Sequence, residues 1–179
     1  MIAESQYWKD ELKKYVNVIA KKQTQKVWRD SSYAALEKSI MLSCYISRKL
    51  VESNKIPRKK FEQVVEVSCF RSNGRVVDLL NSHKLDELYD IPQGAETRKP
   101  FSYVANQIIH SFIFFSLMDQ HGGVESIVFN SDNSKSRELY MVQVSTLLKV
   151  FRSIAKSEIT KIHMRRNDEG EMVVVSAED

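Results

Sequence analysis

The stretch that most constrains this chain is Phe101 to Met118, FSYVANQIIHSFIFFSLM, which holds no Gly, no Pro and no formally charged residue. At 100° per residue, Phe101, Val104, Ala105, Ile108, Ile109, Phe112 and Phe115 fall on one apolar arc. The other side carries two polar rows at i, i+4 spacing, Ser102/Asn106/His110 and Tyr103/Gln107/Ser111. The spacing predicts a central helix across the whole stretch, with a largely buried hydrogen-bonding stripe. It is not a membrane span. About 18–20 apolar residues are needed to cross a bilayer, and Asn106, Gln107 and His110 stand in the middle, where polar groups are expensive.

Two further helices precede it. Trp8, Leu12, Tyr15 and Ile19 repeat at helical spacing across residues 5–27, and Ser5 is a candidate cap. The signal Asp30-Ser31-Ser32 opens a second helix running to Ser53, with a seam of Tyr33, Leu36, Ile40, Cys44, Ser47 and Val51. The second and central helices are expected in contact, with Tyr33, Ile40 and Cys44 near Ile108, Phe112 or Phe115. Residues 59–80 fit two patterns. One is a hairpin, with strands over Glu62–Phe70 and Arg75–Leu80 joined at Ser72-Asn73-Gly74; the other is a helix over Lys59–Ser68. Lys84–Tyr89 adds a short helical turn, and Ile91–Pro100 reads as a loop.

After Gly122-Gly123 the pattern changes to strands over Val124–Phe129 and Arg137–Gln143. A helix opening near Ser145 follows, and a closing hairpin over Lys161–Arg166 and Glu171–Ser176 ends the chain. With 179 residues, no linker and no repeat, the expectation is one domain over 1–179. Its class is α+β: a helical layer, made of two N-terminal helices and the central one, on a mostly antiparallel sheet with a C-terminal hairpin.

A net charge of +4, from 27 basic and 23 acidic residues, is weak for a dedicated duplex-DNA binder. The basic run Lys21, Lys22, Lys26 and Arg29, with Trp28 and Tyr33 beside it, leaves nucleic acid as a permitted partner. The two cysteines, Cys44 and Cys69, form no CxxC pair, and the charged N-terminus has no signal-peptide pattern. A cytoplasmic protein with reduced thiols is expected. Phosphate-loop, dinucleotide-binding and metalloprotease motifs are absent, and His and Cys lack metal-ligand spacing, so neither cofactor nor metal is expected.

What remains for chemistry is Asn106 and His110 on one helical face. A histidine held by polar neighbours can serve as a general acid or base near neutral pH. Arg48 and Glu37, both close to the seam of the second helix, are the candidate cation and carboxylate for metal-free phosphodiester cleavage. About 16 Å of helix axis separates these two charges, so they do not pair with each other. The Asn106–His110 pair resembles the site of the HEPN class of helical ribonucleases, in which a polar residue and a His share one helix. That family also places an Arg just before the polar residue. Here Val104 and Ala105 stand there, so the resemblance implies that Arg48 supplies the cation from another helix. Two function classes therefore stay open. One is a binding or regulatory protein acting with a protein partner or a second copy within an assembly. The other is a small nuclease or nucleotide-acting enzyme centred on His110.

Overall fold

A computed structural model describes residues 2–179. The elements run α1 (Ser5–Lys22), α2 (Asp30–Glu52), α3 (Arg58–Phe61), β1 (Val64–Arg71), α4 (Leu85–Leu88), β2 (Ala95–Pro100) and α5 (Phe101–Ile109). Then come β3 (Ser111–Met118), β4 (Val124–Ser131), β5 (Glu138–Gln143), α6 (Val144–Ala155), β6 (Lys161–Arg166) and β7 (Met172–Glu178). The fold is α+β. Strands β2-β1-β5-β4-β3 form one sheet, antiparallel throughout, and β6 and β7 form a separate hairpin.

Alternation along the strands divides the apolar residues between two faces. Val65, Val67, Ile127, Phe129, Tyr140 and Val142 join the main core with Leu12, Ile19, Ile40, Cys44, Val104, Ile108, Leu148 and Phe151 from the helices. Phe70, Leu139, Val128 and Ile113 point the other way and are covered by Val77, Leu88 and Tyr89. The irregular segment between β1 and β2 thus lines the face opposite the helices.

The central stretch is half helix and half strand. α5 ends at Ile109; His110 is its C-cap, at φ −104° and ψ 27°, with its N–H donating to the Asn106 carbonyl. The His110 carbonyl accepts from Asp132 N at 3.3 Å, closing the end of the helix onto the β4–β5 turn. From Ser111 onward the chain pairs with β4. Helical spacing and continuous apolar character overlap from Ile109 to Phe115, and the aromatic, β-branched run SFIFF is a good strand former. Pairing with Val124–Ser131 decides the outcome. The buried stripe is corrected as well, because Asn106 and His110 are exposed while Ser102, Tyr103 and Gln107 are half-buried.

The expected contact of α2 with α5 is present, but Tyr33, Phe112 and Phe115 are not buried in it as expected. Tyr33 is exposed and packs against Trp28 at a 36° tilt, with ring centroids 4.8 Å apart, and both phenylalanines belong to β3. Along α2 the buried Ser39, Ser43 and Ser47 hydroxyls each donate to the carbonyl four residues back, at 2.6–2.7 Å, so no neighbouring helix need satisfy them.

Two local readings change. The strand over Glu62–Phe70 exists as β1, but Arg75–Leu80 does not return beside it. The two neighbours of β1 are β2 and β5, and the chain after Arg71 bridges instead to Tyr89 through Ser72. Ala95–Pro100, read as loop, is edge strand β2. Its Glu96, Arg98, Lys99 and Pro100 are typical of a protected edge and erase the apolar alternation that marks inner strands. Arg98 sits directly opposite Glu66 and pairs with it at 3.5 Å.

Candidate functional site

The polar side of α5 connects four parts of the molecule. Ser102 Oγ donates to Glu62 Oε2 at 2.6 Å, on the segment leading into β1. Gln107 Oε1 accepts from Ser134 Oγ at 2.7 Å and from Ser131 N at 2.9 Å, holding the β4–β5 turn. Arg48 Nη1 on α2 donates to Asn106 Oδ1 at 3.4 Å. Tyr103 Oη lies 3.0 Å from Tyr140 Oη on β5. Each member of the two rows, His110 and Ser111 apart, thus has a named side-chain partner.

Of the four residues assigned to catalysis, Arg48 and Asn106 are brought together. Glu37 is exposed on α2, eleven residues before Arg48, and makes no ion pair among the described residues. The carboxylate beside Arg48 is Glu52, bound by Arg48 Nε at 2.7 Å and by Lys49 Nζ at 2.8 Å. Hydrogen bonds from Lys49 and then Arg48 hold the Glu52 carboxyl below its usual range. The i, i+4 spacing of Arg48 and Glu52 was the signal for this pair. His110 is exposed at the end of α5, and its imidazole makes no hydrogen bond among the described residues. The geometry is an exposed imidazole one turn beyond an Arg–Asn contact.

The basic run lies at the end of α1 and in the connection to α2. Lys21, Lys26 and Arg29 are exposed, whereas Lys22 is committed within the chain. Its Nζ donates to Gln25 Oε1 at 2.7 Å and stands 5.4 Å from the Trp28 ring centroid. Trp28 Nε1 in turn donates to the Gly122 carbonyl at 2.7 Å. Both Lys22 and Trp28 therefore help join α1 to the β3–β4 turn.

A second polar cluster went unnoticed in the sequence. Tyr140 is buried and donates to Glu138 Oε2, two residues earlier on β5. That bond uses the only Tyr140 hydroxyl proton, so Tyr103 is the donor in the Tyr103–Tyr140 contact. The Lys99 ammonium lies 5.2 Å from the Tyr103 ring and 5.7 Å from the Tyr140 ring, a cation–π arrangement. Burial, reinforced by the bonds to Glu138 and Tyr103, raises the Tyr140 hydroxyl well above its ordinary range, so it stays protonated. Cys69, opposite Tyr140 in the sheet, is pushed up by burial first and by the Glu138 charge second. Its thiol is protonated near neutral pH, unlike a nucleophilic cysteine. Burial raises the Cys44 thiol as well. The i, i+2 spacing of Glu138 and Tyr140 places both on one strand face and is the signal a sequence reading could have used.

Among the described residues, no three His, Cys, Asp or Glu side chains gather as a metal set, and no helix is long and apolar enough to cross a membrane. No protein-family model, curated protein or solved structure matches this chain.

Proposed function

We propose that this chain is a binding protein acting within a larger cytoplasmic assembly. The observation that carries the reading is the segment Arg75–Asn81. Val77 is buried against the sheet and anchors it, while Val76, Leu79 and Leu80 are 78%, 84% and 86% exposed. Internal hydrogen bonds shape this turn. Asp78 Oδ1 accepts from Leu80 N at 2.8 Å and Asn81 N at 3.2 Å, Asn81 Oδ1 accepts from Asp78 N at 2.9 Å, and Asn81 Nδ2 donates to the Val76 carbonyl at 2.8 Å. The result is a fastened turn displaying three aliphatic side chains to water. Burying each fully against a partner is worth about 1.5–3 kcal/mol. Two free thiols, Cys44 and Cys69, accord with a reducing compartment.

The test is the size of tagged protein in fresh cell lysate. Wild type is expected to run above the mass of the purified chain, and Val76→Ser/Leu79→Ser/Leu80→Ser is expected to return to it. A wild type that runs at its purified mass in lysate removes the reading.

The nuclease reading is the second, favoured by the Arg48–Asn106 contact one turn from exposed His110. It requires wild-type RNA cleavage that His110→Asn abolishes without lowering the melting temperature. Absence of cleavage by wild-type protein ends it.

A further inference from the structure

The two edges of the five-stranded sheet differ in kind. On β2 the residues Glu96, Arg98, Lys99 and Pro100 guard the edge with charge and a missing N–H. The other edge is β3, SFIFFSLM, which carries no charge and no proline and pairs only with β4 among the described residues. Phe115 and Leu117 on it are 38% and 39% exposed. A long, neutral, apolar edge with free backbone groups is a template for another strand.

From these features we infer that β3 pairs antiparallel with β3 of a second copy of this chain, about a two-fold axis through Phe115, giving a continuous ten-stranded sheet. The inference rests on the reading of this chain as a binding protein and identifies one of its partners.

The register follows from the strand itself. Its pairing with β4 shifts between Ser111 and Ile113 and again between Leu117 and Met118, so the regular run is Ile113–Leu117. Bulges interrupt pairing at the ends of an edge, and the middle of the run between them is Phe115. A two-fold axis normal to the sheet sets each residue opposite one on the same face. Centred on Phe115, it places Phe115 opposite Phe115 of the second copy and Ile113 opposite Leu117. Phe114 then meets Ser116. The three outer-face residues Ile113, Phe115 and Leu117 meet only one another, and no like charges face each other. The same operation keeps both helical layers on one side of the joined sheet. Growth stops at two copies, because the edges left over are both β2 and both guarded.

Purified full-length protein tests this by sedimentation over a range of concentrations. Wild type is expected to sediment as a dimer. Phe115→Lys, which sets two ammonium groups opposite each other while changing an exposed side chain, is expected to be a folded monomer by circular dichroism. Phe115→Cys is expected to form an intermolecular disulfide on mild oxidation, since directly opposite residues lie within bridging distance, whereas Val76→Cys remains unlinked. A wild type that is monomeric throughout, a dimer that survives in Phe115→Lys, or equal linking of Val76→Cys overturns the pairing. If Phe115→Lys does not fold, the cysteine pair decides alone. A monomeric purified wild type that still runs large in lysate sinks this pairing and leaves the assembly reading standing.

Discussion

The Lys135 ammonium stands 3.7 Å from the centroid of the Phe112 ring, and its Nζ is also paired with Asp132 at 2.7 Å. Phe112 is therefore half-buried under a charged turn, at the irregular start of β3, rather than locked in the helical core. Ile108, on the last turn of α5, is fully buried in that core. Truncation should separate the two. Ile108→Ala is expected to cost about 2–5 kcal/mol, as for a fully buried large-to-small change. Phe112→Ala should cost clearly less, because water and Lys135 already share its surroundings. Urea midpoints of both variants beside wild type check the order. Equal losses would restore Phe112 to the core.

His110 gives the opposite kind of test. Its imidazole is exposed and unbonded among the described residues, so His110→Ala should leave stability within about 0.5 kcal/mol of wild type. A buried histidine with a polar partner would instead lose about 1–3 kcal/mol. Thermal unfolding of His110→Ala and His110→Asn measures this, and any RNA cleavage recorded in parallel is then free of a folding artefact.

Much of the fold is legible in the sequence because amphipathic periods carry it. The seam of α1, that of α2 from Leu36 onward and the closing hairpin follow apolar spacing or turn chemistry at Asn167–Gly170, whereas the residues of β1 fit helix and strand alike until β2 and β5 pair with them. Elements whose identity depends on a neighbour escape that logic. β2 is an edge, so AETRKP needs no apolar alternation. The run after His110 satisfies helix and strand spacing alike until β4 pairs with it. The Arg48–Asn106 contact follows from faces on two helices, but the Glu138–Tyr140–Tyr103–Lys99 cluster joins residues from three elements, β5, α5 and β2, whose approach only the sheet register sets.

Gly123 is where the β3–β4 turn meets the connection after α1. A Cβ built there would lie 2.0 Å from the Gln23 carbonyl oxygen, a backbone atom that a side-chain rotation cannot move. Gly123→Ala should cost about 1–3 kcal/mol through overpacking, or more if the turn must shift. It should also weaken the Trp28–Gly122 bond next to it, visible as a change in Trp fluorescence. Gly170, with open space around its Cβ position but φ +83°, should instead lose stability through backbone strain alone when replaced by Ala.

Asp179 predicts a pH dependence. Hydrogen bonds from Lys60 and then Lys59 lower its carboxyl from 3.8 to about 2, and the ion-pair distances are 2.8 Å and 3.1 Å. A depressed carboxyl stabilises the folded form above its unfolded value and loses that contribution as pH falls through the folded one. The link between the strand β7 end and α3 should therefore be intact above about pH 4 and released between pH 4 and 2. Amide exchange in β7 should rise across that window, and Asp179→Asn should make exchange there independent of pH once intrinsic rates are removed. A β7 profile unchanged by Asp179→Asn would assign no anchoring to this pair.

The C-cap at His110 is also a partition. Eighteen uncharged residues are shared between a helix and a strand that compete for them, and no glycine or proline marks the division. One further helical turn would withdraw Ser111–Phe114 from the sheet and leave β3 too short to serve as a template. One turn fewer would lengthen the strand at the expense of Asn106, the residue that receives Arg48. The carbonyl of His110, held by Asp132 N, therefore sets how much backbone this molecule offers to its surroundings. Substitutions at 110–112 that favour helix over strand should tune association without touching a single residue at the centre of the contact.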